Sequence, residues 1–520
     1  MFFARVPFSA AAAARPGDVD VRSMAASSTT NPAREAANAE LVKGLRLLDA
    51  TTIVMGSMIG SGIFIVSADV ARQVGSPTLL MLTWVISGLM TVAAAVTYGE
   101  LAAMMPKAGG QYVYLREAFG PLFGFLYGWT FFLVIQTGTH AAVAVAFGKF
   151  LGVLVPWVSA DNFLLNLGSI HVLGRTIALT LSSQQLVAIV AVVLLSIVNI
   201  FGLRTGAWVQ NVFTTLKVGV LLGLIGLGLW WTSRPSVWAA EIAPAGQTTG
   251  WGFATLTGIA VALVGPLFSS DAWNNVTFTG AEVINPRRNM PLALLLGTTV
   301  VCTLYLACNW VYLRVLPFFG SPQGIGPLER GIQYAAEDRV ATAAAQVMLG
   351  TAGSWLMAVA IMISTFGCLN GMILAGARVY YAMARDGLFF SAVARVNPKY
   401  HTPAVSLMVQ ALWAGLLTLT GTYSELLDYV VFAVVLFYVV TIAAVFRLRW
   451  TRPNAPRPYR AWGYPILPAL YVGSALFIEW ALVTHKALRS VAGLLIVALG
   501  IPVYYLWRRR AARPQGTASR

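Results

Sequence analysis

The stretch Gly56-Ser57-Met58-Ile59-Gly60-Ser61-Gly62-Ile63-Phe64 lies in the middle of an apolar run long enough to cross a bilayer. Glycine costs roughly 1 kcal/mol relative to alanine inside a helix. Three glycines and two serines between positions 56 and 62 therefore argue against an unbroken helix. In hydrocarbon, a broken helix leaves N–H and C=O groups that need partners. Where such a break faces a cavity, those groups form a ligand site near mid-depth. The alternative is a close helix–helix contact of the small-xxx-small kind.

The chain is 58% hydrophobic and only 10% charged, against about 25% charge in a soluble domain. It reads as an all-α, polytopic membrane protein. The net charge of +16 does not point to nucleic acid. Its arginines flank apolar spans, and no basic face alternates with aromatics in a soluble domain. Cys302, Cys308 and Cys368 all fall in apolar spans, so no disulfide framework is expected. No nucleotide loop, metal-ligand cluster or nucleophile triad is present, so neither an enzyme, a cofactor nor a metal is expected. Residues 1–40, rich in Ala, Ser, Arg and Pro, read as a disordered tail. That tail resembles either part of a targeting segment or the product of a start codon misplaced upstream of Met24. Residues 511–520 form a basic C-terminal tail.

A membrane-crossing helix needs about 20 apolar residues. About twelve spans are expected, near 47–74, 78–105, 121–153, 183–202, 207–231, 251–281, 291–316, 342–384, 404–422, 425–448, 464–485 and 488–507. With both termini in the cytoplasm, 25 of the 35 lysines and arginines fall inside and nine outside, with Lys217 left in the membrane. That asymmetry supports the orientation and an inner-membrane, multi-pass location. Span 6 is interrupted around Pro266-Leu267-Phe268-Ser269-Ser270-Asp271-Ala272-Trp273-Asn274. The two interruptions open two groups of five spans, about 47–231 and 251–448, which predicts inverted repeats. The helices at 464–507 fall outside them. The transporter domain as a whole runs over 41–510. Interrupted spans at matching places in inverted halves mark a transporter binding site.

A half-helix starting after Gly60 exposes free N–H groups and the positive end of its dipole, which attract a carboxylate. Ser57 and Ser61 add hydroxyls. At the second break, carbonyls near Phe268, Ser269 and Asp271 are expected to accept from an ammonium. Together the breaks would hold an α-amino acid by the two groups that all amino acids share.

Gly56 to Phe64 resembles the helix 1 signature of the amino acid–polyamine–organocation (APC) superfamily. Trp273-Asn274-Asn275-Val276 through Gly280-Ala281-Glu282-Val283-Ile284-Asn285-Pro286-Arg287-Arg288-Asn289-Met290-Pro291 resembles helix 6 and the following loop of its L-type amino acid transporter branch. Tyr98-Gly99-Glu100-Leu101, Pro106-Lys107-Ala108-Gly109-Gly110, Val209-Gln210-Asn211-Val212-Phe213 and Ala377-Arg378 to Asp386-Gly387 match as well. The resemblance covers roughly 40–510. It implies a LeuT-like, five-plus-five inverted-repeat fold with discontinuous helices 1 and 6. It also implies sodium-independent amino acid transport, often by obligatory exchange. By it, the backbone of Ser57, Met58, Ile59, Gly60, Ser61 and Gly62 holds substrate, and Phe268 gates the site from outside. Two departures stand out. Ser269-Ser270-Asp271-Ala272 replaces the Ala-Tyr-Gly-Gly of animal members, and Asp271 adds a carboxylate suited to a cationic substrate or a proton. Animal members join a glycoprotein through a cysteine in the loop between helices 3 and 4. Here that loop, about 156–182, has none, so a single-subunit bacterial-type permease with no disulfide-linked heavy chain is expected.

Lys217 lies about ten residues into its span, where an ammonium is costly. The resemblance places it where sodium-coupled relatives bind sodium, tying helix 5 to the broken helix 1. Proton carriage and snorkelling to an interface are the other readings. Gln136 and His140 share one face of span 3 and are candidate pocket-lining residues, although a histidine in a packed interface reads the same way. Glu100 and Glu282 read either as gate or loop-pinning groups or as ordinary interfacial charge. The expected function is exchange of neutral α-amino acids, with the substrate and the lipid bilayer as partners and no nucleic acid. Proton-coupled symport is the alternative mechanism. A membrane sensor would need a sizeable soluble output domain, and none is evident.

Overall fold

The computed structural model describes residues 40–172, 175–231, 252–419, 423–485 and 487–511. Of the expected tails at 1–40 and 511–520, residues 1–39 and 512–520 lie outside the described residues. Among the described residues, eight helices are long and apolar enough to cross a bilayer. A ninth span is the pair α1 (Leu47–Met58) and α2 (Gly62–Val74), bent by 42°.

The bend has a backbone cause. Ile59 leaves helical geometry at ψ 90° and α2 restarts at Gly62. The far end of α2 stops on Gly75 in the left-handed region, at φ 62°, a conformation glycine adopts without a Cβ clash. α3 (Pro77–Met104) starts with proline in its first turn, where no intrahelical N–H is lost. A turn through Gly109 and Gly110 then leads into α4 (Gln111–Phe119), which the span reading did not foresee. α5 (Pro121–Leu154) contains one π-helical turn, Phe131–Ile135.

An antiparallel hairpin follows, β1 (Phe163–Val172) and β2 (Arg175–Ser182). The all-α expectation is corrected here: the loop after the third span folds as two strands. Ser182 then caps α6 (Ser183–Ile200) with a reciprocal Ser182–Gln185 box. α7 (Leu203–Trp231) carries Lys217.

The sixth span is corrected in detail. α8 (Phe253–Ser269) is interrupted for one residue at Leu263, which keeps right-handed helical dihedrals, and has Pro266 inside it. Pro266 falls in the first turn after that interruption, where proline is tolerated. The unwound segment is Ser270–Asn274, followed by the short helix α9 (Asn275–Phe278). α10 (Pro286–Val315) comes next. The expected span 342–384 is two helices, α11 (Val340–Leu349) and α12 (Thr351–Arg385), separated by Gly350 at φ 64°. α13 (Ala404–Thr418), α14 (Tyr423–Thr451), α15 (Ile466–His485) and α16 (Ala487–Ala511) complete the chain.

The face that carries residues 40–46, the near face, is stitched together by backbone bonds. Gly44 and Leu45 N–H donate to Glu282 O at 2.8 and 3.0 Å, and Ile284 N–H returns to Leu45 O at 2.8 Å. Gly109 N–H donates to Phe278 O at 3.0 Å. The chain entrance, the α3–α4 turn and the α9–α10 loop therefore form one floor beneath the breaks.

Candidate functional site

The carbonyls at the end of α1 find their partners inside the protein. Lys217 Nζ donates to Gly56 O at 2.7 Å, Ile59 O at 2.8 Å and Ser364 O at 3.1 Å. Ser364 Oγ donates to Gly60 O at 2.9 Å, and the Cys368 thiol to Ser57 O at 3.0 Å. Tyr305 OH lies 3.0 Å from both Met58 O and Ser269 O. Lys217 is fully buried, so snorkelling to an interface is ruled out. Its ammonium occupies a site built from carbonyls. What α2 adds at the break is donor character, since the first N–H groups of a helix have no partner within it.

The two breaks touch. A Cβ built on Gly62 would sit 2.3 Å from Ser269 Oγ and 2.9 Å from Ser269 Cα. Gly60 faces Cys368, with a built Cβ 3.3 Å from its sulfur. Ser57 Oγ lies next to Gly371 of α12 and has no hydrogen-bond partner. The glycines allow this approach because neither carries a side chain.

The expectation of free carbonyls at Phe268 and Ser269 is corrected. Phe268 O accepts from Asp271 N–H at 3.0 Å, and Ser269 O faces the Tyr305 hydroxyl. The polar group that the second break does present is the Asp271 carboxylate, which accepts from Tyr438 OH at 2.5 Å. Ala272, next to it, holds φ at 62°. That conformation is uncommon for a residue with a Cβ and marks a strained turn.

A small cavity opens beside this turn, lined by Asp271, Ala272, Asn274, Asn275, Gln111, Gln136, Thr139 and Tyr438 together with apolar residues of α5, α12 and α14. The π turn of α5 contributes Phe131 and Ile135 to the wall, and π turns recur at functional sites. A second cavity, toward α3 and α15, is lined by Phe268, Leu267, Trp273, Thr91 and Tyr471, and it shares Asp271 and Tyr438 with the first. Neither cavity is lined by α1 or α2. Ser57 through Gly62 are thus packed against Ser269, Tyr305 and Cys368. Of the sequence candidates, Asp271, Gln136 and Phe268 line open space. Gln136 Nε2 also donates to Met372 O at 2.8 Å. His140 is fully buried and lines neither cavity.

The near face is closed by buried charge. Glu282 and Arg378, 0% and 1% exposed, pair through two hydrogen bonds of 2.8 and 2.9 Å. Glu100, 1% exposed, binds Arg449 at 2.6 Å and accepts from Ala461 N–H at 2.7 Å. These are not ordinary interfacial charges; they pin α12 and the chain after α14 to the floor. On the far face Arg72 meets Asp338 at 2.6 Å, while Glu337 pairs with Lys149 at 3.0 Å and Arg339 at 2.6 Å. Burial works against the Glu337 charge, but Lys149 and Arg339 outweigh it and hold its pKa below the usual carboxylate value. Tyr305, Ser364, Tyr438, Gln111, Arg378 and Arg449 escaped the site reading. None has a local pattern that identifies its distant partner.

The family model described as amino acid permease matches residues 45–502, and the chain belongs to that family of membrane amino acid transporters. It is 28% identical over 474 residues to the serine/threonine exchanger SteT of Bacillus subtilis, covering 91% of this chain and 98% of that protein. It is 30% identical over 484 residues to the mouse large neutral amino acids transporter small subunit 2, covering 92% and 84%. To the human Asc-type amino acid transporter 1 it is 29% identical over 474 residues, covering 90% and 84%.

Proposed function

We propose that this protein exchanges neutral α-amino acids across the membrane by alternating access, without sodium. One observation carries the reading. The acceptors of the α1 break are already filled, by the Lys217 ammonium and by the hydroxyl and thiol donors around it. No metal cation is needed to satisfy them, and the donor end of α2 remains for a carboxylate. The substrate then enters between Gly60–Gly62 and the α8 break as these move apart, with its ammonium near Asp271. Phe268 borders the far approach, and the near-face ion pairs close the opposite one. Adding α8, α13 and α16 to the nine spans gives twelve, in two inverted groups of five plus α15 and α16. An even count puts both termini on one side, and the excess of Lys and Arg on that side makes it the cytoplasmic one in this reading. The chain works without a disulfide-linked second subunit. Counterflow into proteoliposomes tests this. External labelled amino acid should accumulate only against a preloaded amino acid pool, equally in sodium and potassium buffers. Uptake that needs sodium, or uptake driven by a pH gradient into empty vesicles, would refute sodium-free exchange.

A further inference from the structure

We propose that the cavity beside the α8 break selects substrates whose side chains form hydrogen bonds, hydroxyl or carboxamide, over apolar ones. The inference rests on the exchange reading above and adds the substrate class. Asn275 lines the cavity and is 1% exposed, yet its amide Nδ2 has no partner. The other donors nearby are engaged. Asn274 Nδ2 donates to Gln111 Oε1 at 2.8 Å, and Gln111 Nε2 to Thr441 Oγ1 at 2.9 Å. Gln136 Nε2 is held by Met372 O, and the Tyr438 hydroxyl by Asp271. One buried donor is therefore left over in the wall of the cavity beside the break.

The acceptor side is also provided. Tyr438 takes one Asp271 oxygen, and a carboxylate has about four lone-pair sites. A hydroxyl or carboxamide carries both an acceptor for Asn275 and a donor for Asp271. Leucine, valine or phenylalanine would offer neither group and would leave the Asn275 amide stranded away from water. A site built around hydrogen-bonding groups discriminates strongly against analogues that lack them.

The test is a counterflow panel on the purified full chain, with serine, threonine, asparagine and glutamine set against leucine, valine and phenylalanine, and lysine and arginine included. The polar group should exceed leucine in exchange efficiency by roughly 10- to 100-fold. Asn275→Leu should compress that ratio by about tenfold or more, mainly through KM. Asn275→Asp, which keeps the size and removes the donor, should also compress it if the leucine variant does not fold. Preference of the wild type for leucine or phenylalanine, or for lysine or arginine, overturns the inference while leaving amino acid exchange standing. So does an unchanged ratio in a folded Asn275 variant. No exchange of any amino acid overturns the exchange reading and this inference with it.

Discussion

Replacing Lys217 with alanine separates transport from binding. The ammonium reaches three carbonyls, and they are not equivalent. Ile59 O keeps the Ser364 hydroxyl at 3.1 Å, and Ser364 O lies within α12. Gly56 O has no such reserve, because the Gly60 N–H that would close the helical turn donates to Met58 O instead. The variant therefore strands one buried carbonyl, a cost of about 1–3 kcal/mol. Removing an ammonium held out of water offsets part of this, so global stability changes little. The change falls on the tie between α1 and α7, and 1–3 kcal/mol there shifts a conformational equilibrium by about 5- to 150-fold. The maximal exchange rate of Lys217→Ala in proteoliposomes should fall within that range. Equilibrium substrate affinity, measured by calorimetry, should change by less than about tenfold. Wild-type exchange kinetics in a well-folded Lys217→Ala protein would refute the reasoning and leave Lys217 as a structural cation.

Gly62→Ala places a methyl group 2.3 Å from Ser269 Oγ. It should abolish exchange at a stability cost of about 1–3 kcal/mol, and wild-type flux in that variant would show that the two breaks need not approach. Gly60→Val, pressed against Cys368, should lose substrate binding in thermal-shift titrations while the protein stays folded; retained uptake would remove Gly60 from the site. Glu282→Gln leaves Arg378 buried without its counter-charge, so thermal denaturation in detergent should show a loss of about 3–5 kcal/mol; an unchanged midpoint would mean that the near face is held by other contacts. Glu337 has its pKa held below the usual 4.5, so its contribution is present above about pH 4.5 and is lost as pH falls through the lowered value. The stability gap between wild type and Glu337→Gln, under about 1 kcal/mol for so exposed a group, should therefore close on acidification and not on alkalinisation.

Both breaks were legible because glycine, serine and aspartate are out of place in hydrocarbon, and Lys217 was legible for the same reason. The errors came from features that depend on context. The second interruption was expected around Pro266–Asn274, yet Pro266 sits within α8 and the chain unwinds only over the latter part of that stretch, Ser270–Asn274. The span at 342–384 was expected as one helix, but Gly350 at φ 64° divides α11 from α12. The strands at 163–182 alternate polar and apolar residues only in part, and a lone hairpin is marginal without packing. The Asp271–Tyr438 and Glu282–Arg378 pairs lie 167 and 96 residues apart, so only the fold brings their members together.

The glycine motif alone predicts a break that offers donors and acceptors alike. The structure removes that symmetry. Lys217, Ser364 and Cys368 come from two other helices and take up carbonyls at the end of the broken α1, while Tyr305 from a third adds a second donor to Met58 O, which Gly60 N–H already reaches. Without them, unpaired carbonyls in hydrocarbon would each cost several kcal/mol or would recruit a cation from solution. With them, the break keeps one electrical sign. The donor end of α2 on one break and the Asp271 carboxylate on the other have opposite sign, the polarity that would orient a zwitterion. In the exchange proposed above, α7 would then supply a fixed charge where a coupling metal ion would otherwise sit.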